Sequence, residues 1–355
     1  MTRILAAGDL FIRASHLRAS LENALGDDAV EIPEIEFPWP DEPFGRVAEV
    51  DEASGSEDEL IEALTGATAI VTQLAPMTER VIAASPELRL IAVSRGGPTN
   101  INLEAARAHG VAVANVPGRN GIATAEMTIG LALALLRRIP LSHDTLLDHE
   151  WRGDFYRFDA VGGEVSGCTI GLLGAGAVGS HVAEVFAAMG AEVVVFDPYL
   201  PDGALDGVAR RADSIDEVFQ QADLLSVHAR LTPDTVRMVN AERLALMRPG
   251  SRLVNAARGG LVDYDAVASA IESGRLAGAA FDVYPDEPVD FTHRIFELAS
   301  EGRDIVLTPH IAGASRETAM RAADGVAEEV RRYLAGEPLL HPLVEPAKPA
   351  ATPRS

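Results

Sequence analysis

Cysteine is almost absent: the 355-residue chain has one, Cys168. That excludes an internal disulfide and any zinc site built from several thiolates, and no metal is expected. A single thiol fits a reducing, cytoplasmic compartment. Basic residues are scarce as well, 30 Lys and Arg against 53 Asp and Glu, for a formal net charge of −23. A field of that sign opposes phosphate backbones and anionic lipid, so nucleic acid and membrane surfaces are poor partners. An anionic small molecule must instead be drawn in by individual arginines or main-chain N–H groups. Long apolar runs are missing too. The longest, residues 127–136, falls well short of the ~20 residues a spanning helix needs, and the N-terminal run is broken too early by Gly8 and Asp9 for a signal peptide.

What remains is the composition of a folded globular protein, 47% apolar and 23% charged, in a chain long enough for two ordinary domains. Short apolar runs alternate with stretches of helical spacing. Strands are expected at residues 3–7, 67–73, 88–94 and 111–115, and more weakly at 29–35. A second series starts at 169–173 and continues at 192–196, 223–227, 252–255, 278–282 and 304–307. Such alternation predicts mostly parallel, doubly wound α/β sheets. Residues 38–59, rich in Pro, Gly, Ser and acids, read as a solvated loop. Residues 122–139 read as one long, largely apolar helix closed by Arg137 and Arg138, placed to link the halves. A last helix is expected at 317–334, and residues 341–355, rich in Pro and Ala without periodicity, are expected to be disordered.

The clearest chemical motif is Gly174-Ala175-Gly176-Ala177-Val178-Gly179, entered directly from the apolar run 169–173 and followed by helical spacing. Glycines at these positions permit a tight turn, close approach of main chain to a pyrophosphate, and helix-on-strand packing. The next strand ends in Asp197, eighteen positions past Gly179, where a carboxylate accepts from ribose hydroxyls and repels a 2′-phosphate. Pro198-Tyr199-Leu200 supplies no arginine for such a phosphate, so NAD is expected rather than NADP.

Three further strand ends carry chemistry. Arg258, in Asn255-Ala256-Ala257-Arg258-Gly259, presents a fork of donors suited to a carboxylate. Glu287 lies in Asp282-Val283-Tyr284-Pro285-Asp286-Glu287-Pro288, where Asp286 is an equally plausible acid by composition. His310 lies in Thr308-Pro309-His310-Ile311-Ala312-Gly313. An arginine, a carboxylate and a histidine at the carboxyl ends of parallel strands suit hydride transfer on a 2-hydroxy acid. Arg258 anchors the substrate carboxylate, His310 exchanges the hydroxyl proton and Glu287 holds the imidazole in orientation.

With these segments, and with Asn115-Val116-Pro117-Gly118, Thr124-Ala125-Glu126 and the stretch from Ala222 to Thr232 around His228, the chain resembles the D-isomer-specific 2-hydroxyacid dehydrogenases from about residue 88 to residue 334. The resemblance implies a Rossmann dinucleotide-binding domain, residues 119–310, and a smaller flavodoxin-like α/β substrate domain, residues 1–118 with 311–340. It gives Arg258, Glu287 and His310 the catalytic positions, favouring Glu287 over Asp286 because it precedes the proline. It places Gly174, Gly176, Ala177, Val178, Gly179, Asp197, His228, Ala256, Asp282 and Thr124 around NAD, with Asp282 at the nicotinamide carboxamide. Arg95, Gly96 and Gly97, in Ser94-Arg95-Gly96-Gly97-Pro98-Thr99-Asn100, stand where the family holds the substrate carboxylate. Here the turn adds an arginine and a proline, so Arg95 reaches toward a second anionic or polyhydroxylated group. Arg230 replaces the proline usual after the His-Ala pair.

Homodimers built on the helix matching residues 124–138 are implied. Gln73 stands where a phosphate-binding arginine is expected for phosphoglycerate, no regulatory domain is expected after the core, and formate enzymes carry Gln in place of Glu287. The expected substrate is therefore a small nonphosphorylated or sugar-derived D-2-hydroxy acid, with phosphoglycerate dehydrogenase and an NAD-responsive sensor or corepressor of the same fold as the alternatives.

Overall fold

A computed structural model describes residues 2–26, 29–39 and 45–346. In chain order the elements begin with β1 (Thr2–Gly8), α1 (Ala14–Leu25), β2 (Val30–Glu31), β3 (Glu34–Glu36), α2 (Glu57–Ala63), β4 (Ala69–Thr72), α3 (Glu79–Ala83), β5 (Leu90–Val93), α4 (Leu103–Ala108) and β6 (Ala112–Asn115). Next come α5 (Gly121–Leu136), α6 (Ile139–Leu147), β7 (Thr169–Leu173), α7 (Ala177–Ala188), β8 (Glu192–Phe196), β9 (Arg210–Arg211), α8 (Ile215–Gln221) and β10 (Leu224–Val227). The chain continues through α9 (Ala241–Leu246), β11 (Ser251–Asn255), α10 (Tyr264–Glu272), β12 (Leu276–Phe281), α11 (Arg294–Ser300), β13 (Asp304–Leu307), α12 (Arg316–Leu334) and β14 (Pro342–Val344). They fall into two compact units, Met1–Arg119 with Ser315–Ser355, and Asn120–Ala314.

The first unit has a sheet in the order β14-β6-β5-β4-β1-β2, with β3 also on β1. Its parallel part is the flavodoxin-like order, reversing between β1 and β4. Strand residues alternate between two cores because successive side chains point to opposite faces. Ile4, Ala6, Val71 and Ala92 pack under α1 and α12 with Leu17, Leu21, Ala322 and Val326. Leu5, Ile70, Ile91 and Val113 pack under α2 to α4.

The second unit has the order β13-β12-β11-β10-β7-β8-β9, all parallel. Chain order reverses beside β7, the Rossmann arrangement, and the crevice at the carboxyl ends of β7 and β10 is where such sheets take ligands. Fully buried strands of this kind read as continuous apolar runs, which is why β7, buried along its whole length, is visible in the sequence at 169–173.

Four expectations need correction. The apolar helix stops at Leu136, because Pro140 stands at the start of α6 and Arg138 adopts a left-handed φ of 55° between the two helices. It does not serve as a linker: its buried face, including Ala125, Leu131 and Leu135, belongs to the second unit's own core. The solvated loop ends before residue 59, since Ser56 caps the N-terminus of α2 by accepting from the Glu59 N–H; residues 40–44 lie outside the described residues. The expected disordered tail is ordered in part. β14 pairs antiparallel with β6, and the buried Glu329 carboxylate accepts from the Leu340 and His341 N–H groups at 2.9 Å each, which turns the chain back onto the sheet. Residues 347–355 lie outside the described residues.

Candidate active site

In the second unit the glycine motif is shaped by backbone contacts. Gly174 adopts φ 96°, and a Cβ there would lie 2.9 Å from the Ala229 nitrogen. A Cβ on Gly179 would stand 2.3 Å from the Gly174 oxygen, so α7 can start this close to β7 only with glycine at that position. Gly176 is different: among the described residues nothing lies within 4 Å of where its Cβ would be. It also caps α7 without a side-chain bond, which leaves the first-turn N–H groups of that helix for an anion. Open space over Gly176 and an uncapped twelve-residue helix fit a pyrophosphate, and Ala177 and Val178 are the first helical residues beneath it.

Asp197, at the end of β8, accepts from the Ala175 N–H through Oδ2 and from the Tyr199 N–H through Oδ1, both at 2.8 Å. The same carboxylate thus shapes the glycine loop. The sequence next to Asp197 holds no arginine, but β9 brings one from a distance. Arg211 donates to the main-chain oxygens of Asp197 and Leu200 and pairs with Asp202 at 3.3 Å. Only strand pairing of β9 with β8 reveals it, so sequence reasoning missed it. His228 follows β10 and bonds Ser226 Oγ through Nε2 at 2.9 Å; burial pushes its pKa down to about 4, so it is neutral at physiological pH. On α5, a Cβ at Gly121 would lie 3.7 Å from Ala177, which puts Thr124, one turn on, near the start of α7. Ala256 is buried at the end of β11. Arg230 takes part in the following turn, where its main-chain oxygen accepts from the Thr235 hydroxyl.

Three loops converge beyond β11, β12 and β13. Asn255 turns the chain by accepting from the Ala257 N–H and donating to the Arg258 oxygen. Gly259 then passes so near the next loop that a Cβ would overlap the Tyr284 carbonyl at 1.9 Å. This approach brings the positive charge of Arg258 to bear on Glu287. Glu287 Oε1 accepts from the Tyr284 N–H at 2.9 Å, and Oε2 meets His310 Nδ1 at 2.6 Å. Burial raises the Glu287 pKa, but the His310 bond, the Tyr284 N–H and the charge of Arg258 outweigh it and hold the carboxyl below its usual range. His310 sits at φ 53°, a left-handed conformation costly for a side chain of this size. Asp282 holds it there: buried, its carboxylate accepts from Thr308 Oγ1 at 2.6 Å, the Ile311 N–H at 2.9 Å and the Ala312 N–H at 2.8 Å. Asp282 therefore clamps the His310 segment, an arrangement its position in the sequence does not reveal.

In the first unit, Arg95 pairs with Glu52 and also donates to the Glu52 main-chain oxygen. Gly96 is held by Asn115, whose amide donates to its carbonyl at 2.9 Å, and among the described residues nothing lies within 4 Å of where a Cβ on Gly97 would stand.

Comparison with known proteins places this geometry. The model of the D-isomer specific 2-hydroxyacid dehydrogenase NAD binding domain matches residues 129–312, just over half of the chain. A D-3-phosphoglycerate dehydrogenase of Mycobacterium bovis is 37% identical over 325 residues, which are 91% of this chain and 56% of that protein. The chain spans about half the length of the curated relatives it matches. Among solved structures, a protein of Thermus thermophilus is similar with a TM-score of 0.75 at 29% identity, covering 97% of this chain and 100% of that one. D-lactate dehydrogenase with NAD+ from Lactobacillus jensenii is similar with a TM-score of 0.76 at 25% identity, covering 96% and 99%. The chain belongs to the D-isomer specific 2-hydroxyacid dehydrogenases, and its second unit carries their NAD binding domain.

Proposed function

We propose that this protein is an NAD-dependent oxidoreductase that interconverts a D-2-hydroxy acid and its 2-keto acid in the cytoplasm. The observation that carries the reading is the Glu287–His310 bond of 2.6 Å, formed within reach of the Arg258 charge in the unit that holds the glycine loop.

Bound to this unit, NAD supplies the acceptor for the hydride that leaves C2 of the hydroxy acid. The protein's own groups do the rest. The α7 N-terminus and Gly174, Gly176, Ala177, Val178 and Gly179 hold the pyrophosphate, Asp197 the ribose, and Thr124, His228, Ala256 and Asp282 line the remainder. Arg258 anchors the substrate carboxylate through its fork, and Arg95, Gly96 and Gly97 of the first unit contribute to substrate binding. His310 Nε2 takes the hydroxyl proton as the carbonyl forms, and returns it in the reverse direction. Glu287, bound to Nδ1, fixes the tautomer in which Nε2 is basic and offsets the charge the ring acquires. In domain terms, residues 1–118 with 311–340 bind substrate and residues 119–310 bind cofactor.

We also propose a homodimer. Trp151, Tyr156 and Phe158 are 89%, 93% and 98% exposed, in the same twenty-residue stretch of chain as exposed Ile139, Leu146 and Leu147, an abundance of exposed apolar side chains that supports a protein contact. Sedimentation of Phe158→Ser alongside the wild type tests this; a wild-type monomer at micromolar concentration contradicts it.

The activity is tested by mixing the purified protein with NADH and a panel of glyoxylate, pyruvate, hydroxypyruvate, 3-phosphohydroxypyruvate and longer 2-keto acids, and following NADH consumption. Turnover of at least one is expected. Tight NADH binding with no turnover across the panel refutes the reading in favour of an NAD-responsive binding protein.

A further inference from the structure

Glu287 and His310 belong to different loops, the one after β12 and the one after β13, so the contact between them is only as exact as the placing of the two main chains. Tyr284 touches both. Its N–H donates to Glu287 Oε1 at 2.9 Å, and its hydroxyl donates to the Thr308 carbonyl at 3.0 Å, 24 positions along the chain. The same carbonyl accepts from the His310 N–H at 3.1 Å. That bond closes the three-residue turn Thr308-Pro309-His310, at whose end His310 holds φ 53°. One residue therefore ties the main chain that presents Glu287 to the oxygen on which the His310 turn closes.

Tyr284 is itself fixed on several sides. It is buried, its ring stacks on Phe296 of α11 with centroids 5.8 Å apart and planes at 27°, and the carbonyl before it, that of Val283, accepts from the buried Tyr264 hydroxyl. Its own carbonyl lies against Gly259. Burial, with the charges of Asp282 and Glu287, pushes the Tyr284 pKa up to about 12, so the phenol keeps the proton it donates to Thr308. Packing alone does not call for that hydroxyl, because phenylalanine fills the same space against Phe296 and brings no polar group that burial would penalise. Asp282 already clamps the His310 segment through Thr308 Oγ1 and the Ile311 and Ala312 N–H groups. Losing the Tyr284 hydroxyl should thus loosen the pair without unfolding the loops.

We propose that Tyr284 is a positioning residue of the dehydrogenase site: it sets the Glu287–His310 contact by holding the main chains of both partners, and its hydroxyl is needed for this. The proposal rests on the dehydrogenase reading above and deepens it. Tyr284→Phe keeps the ring, the N–H and the carbonyl and removes one bond. In substrate-free protein labelled with 15N-histidine, the His310 Nδ1 proton shared with Glu287 should give a far-downfield resonance that Glu287→Gln abolishes and Tyr284→Phe moves upfield. The single-turnover rate with NADH and the best 2-keto acid should fall at least fivefold in Tyr284→Phe, with the keto-acid KM and NADH affinity within twofold of wild type. In the Glu287→Gln background the same change should cost less than twofold, because the contact it sets is already gone. A tyrosine that only packs the core would lower both backgrounds equally. A wild-type rate in Tyr284→Phe overturns the proposal, as does a His310 resonance at the wild-type position or an equal loss in the two backgrounds. If the wild type turns over no keto acid, the dehydrogenase reading falls, and the resonance alone still decides the role of Tyr284.

Discussion

Replacing Glu287 by Gln removes one charge and almost no volume, which makes it a close probe of the Glu287–His310 pair. In the native site the carboxylate serves two donors, the Tyr284 N–H at 2.9 Å and His310 Nδ1 at 2.6 Å. A carboxamide has one oxygen for both. If that oxygen stays on Tyr284, the NH2 faces Nδ1 and drives the ring proton onto Nε2, the wrong tautomer for a base. If it turns to His310, the Tyr284 N–H is stranded, at about 1–3 kcal/mol. In either case a charge-assisted bond becomes a neutral one, a loss of about 1–2 kcal/mol. Together these are about 2–5 kcal/mol, or roughly 30- to 5,000-fold in kcat/KM. Initial rates in both directions, with NADH affinity from fluorescence titration, measure it. Rates within twofold of wild type would refute the reasoning, and so would a parallel loss of NADH affinity, since both carboxylate oxygens of Glu287 are engaged by Tyr284 and His310 and the account assigns it no cofactor contact. The pair also leaves an acid signature. With its pKa held below the ordinary 4.5, Glu287 adds stability that is present above that value and lost as pH falls through the lower folded value. The stability gap between wild type and Glu287→Gln should therefore narrow in acid.

Two further substitutions probe how the site is held. Gly259→Ala places a methyl 1.9 Å from the Tyr284 oxygen, so the loops bearing Arg258 and Glu287 must part. A loss of about 1–3 kcal/mol in denaturant unfolding and a fall in kcat/KM are expected, and wild-type values of both would contradict the contact. Asp197→Ala should relax the preference for NADH over NADPH at least tenfold and lower Tm, because the Ala175 N–H loses its acceptor. Asp197→Asn should relax the preference with less loss of Tm; an unchanged cofactor ratio in both variants argues against the assignment of Asp197.

Much of the fold is legible in the sequence because parallel, doubly covered strands must be apolar throughout. The run at 169–173 coincides with β7, buried along its whole length, and the glycine loop announces the β7–α7 junction; 192–196 and 304–307 coincide with β8 and β13 although those strands are partly exposed. Boundaries fail where tertiary contacts decide. Residues 137 and 138 look helical, yet Arg138 leaves the helix to pair with Asp304, and Pro342 to Val344 form a strand only because Glu329 and β6 receive them. In the site, the positions of Arg258, Glu287 and His310 can be read from strand ends, because parallel strands deliver their carboxyl termini to one edge. Three features cannot be read locally: the clamp Asp282 puts on the His310 segment, the close pass of Gly259 and the arrival of Arg211 beside Asp197. Each depends on a partner far away in the chain.

The central claim, that His310 moves the substrate proton while the glycine loop independently holds NAD, is tested most directly by His310→Ala. NADH affinity and single-turnover reduction of the best 2-keto acid should be measured on the same preparation. The account predicts NADH binding within a fewfold of wild type and turnover reduced by at least a hundredfold. Turnover near the wild-type rate in His310→Ala would contradict it.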